Sequence, residues 1–310
     1  DIPSNHLYEE MVRVIRKIKP KIFLFENVKG LLNSKWNPNG LKGEIFEAVR
    51  KSFSNLKNYI IRWDLITAKD YGVPQNRPRV IMIGIRKDIL PSRFKHLTKE
   101  RCPDKPLAVT DGFLPKPSGK PPTLYELLND LVDSNYLENL ETIRYPTNPL
   151  NEIQLDLRTK PDGKIMKEGD RITDHVYSNH AKKIIEKYSY MIANNGKIPP
   201  HLKTKKFATR VFPKVWGPTG PNITATSLCE DFVHFSQPRS PTVREMARIQ
   251  TFPDWYLFEG PRTTGGRRRA GDPSIGAWDR EVPKYTQIGN AVPPLLGKAI
   301  GLHLSNILNS

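Results

Sequence analysis

Cysteine is scarce in this chain: Cys102 and Cys229 are the only two in 310 residues, with no CxxC pair and no clustered histidines. That excludes a disulfide framework, argues against a structural zinc site, and suits a reducing cytoplasm. Long apolar runs are missing too, and none approaches the roughly 18 residues that would span a bilayer. The opening Asp1-Ile2-Pro3-Ser4-Asn5-His6 has neither the basic flank nor the apolar stretch of a secretion signal. It also lacks a methionine, so the sequence reads as one that begins partway along a longer polypeptide. Acidic residues are in deficit: 32 Asp and Glu against 49 Lys and Arg leave a net charge of +17. Such a surplus favours a polyanionic partner, nucleic acid before membrane surface, although a generally basic protein would show the same charge. Hydrophobic residues at 37% and charged residues at 26% exclude a disordered chain.

What is present first is an alternation of helix and strand. Leu7, Met11, Val14, Ile15 and Ile18 recur at helical spacing and predict an amphipathic helix over 7–18, stopped by Pro20. Lys21-Ile22-Phe23-Leu24-Phe25 follows as a short, largely apolar strand of the buried kind. Residues 42–55 place Ile45, Phe46, Val49 and Phe53 on one face of a second helix, and strands are predicted at 58–67 and 79–86. This rhythm implies a sheet covered on both faces, in a doubly wound α/β domain. Past Arg86 the texture turns to Pro, Lys and Asp and reads as loop. Helical patches near 123–134 and 179–193 interrupt a stretch of short strands, turns and scattered basic residues. Helix returns at 242–250 and 294–308, separated by a Gly- and Arg-rich loop over 260–280.

Four short segments carry chemistry, and each has a plain structural explanation when read alone. Glu26-Asn27-Val28 ends the first buried strand, where ligands and catalytic groups gather in open α/β sheets. A partly desolvated carboxyl there can hold or share a proton, but Glu26 could equally cap a helix and Asn27 make a turn. In Gln75-Asn76-Arg77-Pro78-Arg79 the two arginines point to one side of a strand entry, and surface carboxylates would satisfy them as well as a ligand would. Thr242 and Glu245 form a capping box that needs no function, while Arg244 and Arg248 lie one turn apart and either contact phosphates or solvate the helix. Gly289-Asn290 reads as a turn, and Pro293-Pro294 starts a helix whose first N–H groups suit an anionic ligand.

Taken together and in this order, the segments narrow the choice. Glu-Asn-Val after a strand, Gln-x-Arg-x-Arg, Thr-x-Arg-Glu-x-x-Arg-x-x-x-Phe-Pro and Gln-x-Gly-Asn-Ala-Val-Pro-Pro are jointly specific, and the chain resembles the DNA cytosine-5 methyltransferase family from its first helix to its last. The resemblance implies an α/β fold: the C-terminal half of a Rossmann-like S-adenosylmethionine-dependent methyltransferase domain plus a smaller, mixed, largely β target-recognition domain. The expected division is catalytic domain over 1–95, target recognition over 96–280, and a return helix over 281–310.

The resemblance also implies a reaction and roles. Family enzymes flip a cytosine out of duplex DNA, add a cysteine thiolate to carbon 6 and transfer a methyl group from S-adenosylmethionine to carbon 5. Glu26 is implied as the acid at the ring nitrogen and Asn27 as the residue shaping its loop. Arg77 and Arg79 are implied to organise the pocket, with Arg79 on the base carbonyl. Asn290, Ala291 and Val292 match the part of the cofactor site that holds the methionine end. Gln75 is implied as a backbone or DNA-side anchor, and Arg239, Arg244, Arg267 and Arg268 as DNA contacts, although Arg267–Arg269 would read equally as a solvated run.

Two family features are absent here: the glycine-rich Phe-x-Gly-x-Gly loop and the Pro-Cys nucleophile. Neither Cys102 nor Cys229 follows a proline, so the nucleophile is expected from an N-terminal fragment or subunit. The alternative is a non-catalytic DNA-binding or regulatory subunit descended from such an enzyme, against which the retained Glu26, Arg77, Arg79 and Asn290 argue. Family analogy further implies a cytoplasmic protein of a bacterial or phage modification system.

Overall fold

The computed structural model describes residues 6–203, 209–213, 222–224, 231–263 and 281–309, which divide into two compact units. The first unit takes Asp1–Tyr71, Arg77–Gly119 and Leu296–Ser310. Helix α1 (Leu7–Ile18) carries Glu9 and Glu10 in its first turn and Arg16 and Lys17 in its last, the arrangement a helix dipole favours. Lys19 closes it in the left-handed region, at φ 53°, its N–H donating to the Ile15 carbonyl at 2.8 Å. Strand β1 (Ile22–Val28) runs three residues beyond the predicted end, so Glu26 lies within a paired strand. Helix α2 (Glu44–Ser54) and strands β2 (Tyr59–Thr67) and β3 (Pro78–Arg86) complete the alternation.

The sheet order is β1-β3-β2, with β3 antiparallel to both neighbours. A reversed strand therefore sits between the two strands that run the same way. Side-chain alternation divides the sheet into two faces. Phe23, Phe25, Tyr59, Ile61, Trp63, Val80 and Met82 share one face with Val12 and Ile15 of α1 and Ile45, Phe46, Val49 and Phe53 of α2. Phe53 has no exposed surface and stacks on Phe23 at 5.5 Å; truncating such a residue to alanine costs about 3–5 kcal/mol. Gly84 lies directly opposite Phe23, and a Cβ there would collide with the Phe23 ring.

The other face carries Ile60, Ile81, Ile83 and Ile85, together with an arginine, Arg62, that is 2% exposed. Arg62 binds Asp111 and the carbonyls of Leu97 (3.3 Å) and Glu100 (3.0 Å), and lies over the Phe113 ring. The chain from 100 to 109 also lines the β2 edge: Ile61 N–H donates to the Arg101 carbonyl, and Leu107 and Ala108 donate to the Trp63 carbonyl. Residues 96–119, expected as part of a separate module, thus fold with the first unit, because they complete β2 and bury Arg62. Helix α8 (Pro294–Leu308) contributes its length from Leu296 onward, His303 Nε2 meeting the Gly112 carbonyl at 2.8 Å.

The second unit takes Gly72–Asn76 and Lys120–Leu295. Its core gathers Leu124, Leu127 and Leu128 of α3 (Leu124–Leu128), Leu157 of α4 (Glu152–Arg158), Val243, Met246 and Ile249 of α6 (Val243–Ile249) and Ile288 of α7 (Lys284–Asn290). Helix α5 (Lys182–Ala193) packs Tyr188 and Met191 on Val233. The described residues of this unit hold less strand than the largely β module expected over 96–280. Among the described residues its only strands are β4 (Arg210–Val211) and β5 (Phe232–Val233), which pair with each other. Helix caps and buried ion pairs organise these loops in place of strand ladders. The Gly289-Asn290 turn is corrected: both residues close α7, which folds with the second unit through the bond from Tyr285 Oη to the Pro241 carbonyl. No described helix is long and apolar enough to cross a membrane.

Candidate active site

Because β3 runs against β1, its first residues lie beside the end of β1, and residues 53 positions apart in sequence meet. Arg79 Nε binds Glu26 Oε1 at 2.7 Å, with Arg79 8% and Glu26 28% exposed. Arg79 Nη1 also donates to the Pro78 carbonyl at 2.8 Å. Arg77 is 2% exposed, and its carbonyl accepts the Ala68 N–H at 2.9 Å, tying the end of β2 to the start of β3. Burial, then the neighbouring Arg79 charge, push the Arg77 guanidinium down to about 10, with Glu26 opposing. Burial lowers Arg79 as well, against the opposing pull of Glu26. One carboxylate therefore faces two desolvated cations in a partly water-accessible position, an arrangement more often found at functional sites than in inert cores.

Asn27 points to the opposite face. Its Oδ1 accepts the Val28 N–H at 2.8 Å, and it lines a cleft of about 390 Å³ with Phe25, Tyr8, Met11, Leu31 and Ser34. That cleft depends on the juxtaposition of α1, β1 and α2 and leaves no motif in the sequence. Cys102 is half-buried, and burial pushes its thiol up to about 11, opposite to what an attacking thiolate needs.

In the second unit the predicted DNA contacts turn inward. Arg239 is 2% exposed, and its Nη1 and Nη2 bind Glu245 Oε2 and Oε1 at 2.9 and 2.6 Å. Arg244 has no exposed surface; it binds the Thr173 carbonyl (3.1 Å), Thr173 Oγ1 (2.8 Å) and the Tyr256 carbonyl (3.0 Å). A guanidinium so enclosed presents nothing to a phosphate, which corrects the surface role expected of both. The Thr242–Glu245 capping box is present, but the same glutamate is also the counter-ion of Arg239. Arg248, missed as a core residue, binds Asp130 Oδ1 at 2.6 Å and Asp254 Oδ2 at 2.6 Å, all three fully buried. Asp130 also pairs with the buried Arg158. Arg267 and Arg268 lie outside the described residues.

Gln75 also turns inward, with no exposed surface. Its Oε1 accepts the Ile223 N–H at 3.2 Å, and its Nε2 donates to Gln250 Oε1 and to the Ile249 carbonyl at 3.4 Å. It is a buried anchor in this structure and not a DNA-side group. Gln250 Nε2 in turn donates to the carbonyls of Ile288 (2.8 Å) and Ala291 (2.7 Å). Sequence reasoning passed over Gln250, although its place at the end of the arginine-rich helix was a usable signal. Asn290 is exposed, Ala291 half-buried and Val292 37% exposed, just ahead of α8.

Residues 1–306 match the C-5 cytosine-specific DNA methylase family. The chain belongs to that family. It is 30% identical to the type II methyltransferase M.DdeI of Desulfomicrobium norvegicum, over 98% of this chain and 67% of that protein. M.Bpa9945I of Bacillus paralicheniformis is 29% identical over 98% and 64%, and M1.HphI of Haemophilus parahaemolyticus is 28% identical over 97% and 60%. The chain thus spans about two thirds or less of the length of these relatives. Its fold is similar to the crystal structure of a prophage-encoded E. coli protein described as a DNA modification methyltransferase, with a TM-score of 0.64 and 21% identity over 100% of this chain and 76% of that one.

Proposed function

We propose that the chain carries the base-polarising and cofactor-contacting residues of a DNA methyltransferase acting on carbon 5 of a flipped-out cytosine in duplex DNA. The nucleophilic cysteine would come from an N-terminal segment. The observation that supports this most is the Glu26–Arg79 pair beside buried Arg77 at the end of β1. An acid at the ring nitrogen must sit where it is positioned but still reachable, and Glu26 keeps 28% exposure while Arg79 fixes Oε1. With Oε1 held by Arg79, Oε2 is the oxygen left to meet the base. Arg77 adds fixed positive potential where negative charge develops on the base, and Arg79 can turn a second nitrogen to the base carbonyl.

S-adenosylmethionine would supply the electrophilic methyl group. The residues present fit its methionine end in kind: the exposed Asn290 amide offers donor and acceptor, and the main chain around it is fixed because the Ala291 carbonyl is already engaged by Gln250. DNA is the substrate that the net charge of +17 favours.

The test is methyl transfer from labelled S-adenosylmethionine to duplex DNA by the full polypeptide that contains this chain. Glu26→Gln should slow transfer by on the order of 10²–10⁴-fold while DNA affinity stays nearly unchanged. Absence of any transfer by the complete protein, or equal loss of binding and transfer in Glu26→Gln, would refute the assignment.

A further inference from the structure

Three of the four chemistry-bearing segments meet at one side chain of the second unit, that of Gln250. It has no exposed surface, and all its polar capacity is directed: Oε1 accepts from Gln75 Nε2, and Nε2 donates to the Ile288 and Ala291 carbonyls at 2.8 and 2.7 Å. The direction of this relay is set at both ends by backbone groups that cannot reverse. Carbonyls only accept, so Gln250 must present its NH₂ to them and its oxygen to Gln75. The Ile223 N–H only donates, so Gln75 must present its oxygen there and its NH₂ to Gln250. Neither amide can flip without leaving buried donors facing donors and acceptors facing acceptors, which costs far more than one lost hydrogen bond.

We infer that Gln250 is a positioning residue for the cofactor segment. It holds the last turn of α7 and the extended residue after it, fixing the course of the main chain through Asn290 to Val292. Through Gln75 it holds the same register against the loop that, two residues later, becomes Arg77. This inference rests on the assignment of Asn290–Val292 to the methionine end of the cofactor. General stabilisation of the core would explain burial and satisfied bonding, but any well-packed apolar residue would serve that purpose. Two donations into the carbonyls that bracket Asn290 instead specify where the backbone must lie.

The test compares wild type and Gln250→Glu in the full polypeptide. The substitution keeps the shape and replaces the donor pair with an acceptor facing two carbonyls. The readouts are calorimetric binding of S-adenosylhomocysteine, steady-state kinetics, and hydrogen exchange of the peptide covering 287–293. Expected results are cofactor-product affinity weakened tenfold or more, KM for S-adenosylmethionine raised in proportion with kcat changed less than threefold, and faster exchange confined to 287–293. Affinity within twofold of wild type with unchanged exchange overturns the inference. Wild type that binds no S-adenosylhomocysteine overturns the cofactor reading itself, a separate outcome. If Gln250→Glu shows no cooperative thermal transition, Gln75→Leu decides, since it cuts the relay but keeps both donations of Gln250. A smaller loss of affinity, with exchange at 287–293 faster than wild type, supports the inference, and unchanged values overturn it.

Discussion

Glu245 binds both terminal nitrogens of Arg239 and, with the same carboxylate, accepts the N–H of Thr242 at 2.8 Å. Two histidines share its surroundings. His234 Nδ1 accepts the N–H groups of Ser236 and Gln237, so its proton sits on Nε2, 3.6 Å from Glu245 Oε1. Burial, ahead of the Arg239 charge, pushes His234 down to about 3, and burial also lowers His175 to about 4. Burial pushes the Glu245 carboxyl up, but the charge and hydrogen bonds of Arg239, with the two histidines, together hold it well below the usual carboxylate range. All three shifts mean the unfolded chain binds more protons than the folded one, so stability falls as pH falls. The histidines contribute from about pH 6.5 downward, and Glu245 from about 4.5. Each histidine should remove about 1–2 kcal/mol by pH 5. Denaturant melts at pH 7 and pH 5 should therefore differ markedly, and a flat profile would remove this account.

Gly84 is dictated by Phe23 across the strand pair. Gly84→Ala should destabilise the protein by about 1–3 kcal/mol, as overpacking does. Phe23→Leu in the same chain should recover part of that loss. Additive losses in the double variant would show that the collision is not the cause.

Arg79→Lys retains the charge but not the planar guanidinium that reaches Glu26 while holding the Pro78 carbonyl. Methyl transfer by the full polypeptide should fall by about tenfold or more, with thermal stability changing far less. Wild-type rates in this variant would leave Glu26 without the orienting partner assigned to it.

Cys102, with its thiol raised to about 11, should resist alkylation at pH 8 in the folded protein. Cys102→Ala should leave methyl transfer by the full polypeptide unchanged. Mass spectrometry after brief iodoacetamide treatment, with and without denaturant, checks the first point. Rapid modification in the native state would contradict the burial argument.

Period-based features are legible in the sequence. The helix over 7–18 forms as its period predicts, but of the residues that carried the period Ile15 is buried while Leu7, Val14 and Ile18 are exposed, and Val12 takes the other buried place; α8 buries Leu296 and Ile300. Strand direction is not legible, because Val80 to Ile85 reads the same in either sense, so the reversal of β3 appears only in the pairing. Glu26 and Arg79 are each visible as motif residues, but their contact depends on a register that brings Val28 opposite Arg79. The arginines of the 239–248 segment mislead for a simple reason. Charge reads as surface until its counter-charges are placed, and Asp130 and Asp254 come from distant stretches of chain or beyond a turn.

The five residues Gly72–Asn76 fold with Lys120–Leu295 although they are separated from it by the whole of β3 and the wrap that follows. Exchange of the second unit between relatives is therefore not a single cut-and-paste operation. A transplant of 120–295 alone would carry Gln250 and Ile223 into a foreign scaffold without the glutamine that bonds to both. A working chimaera must import a second, five-residue insert, or find in its host a glutamine at the matching place.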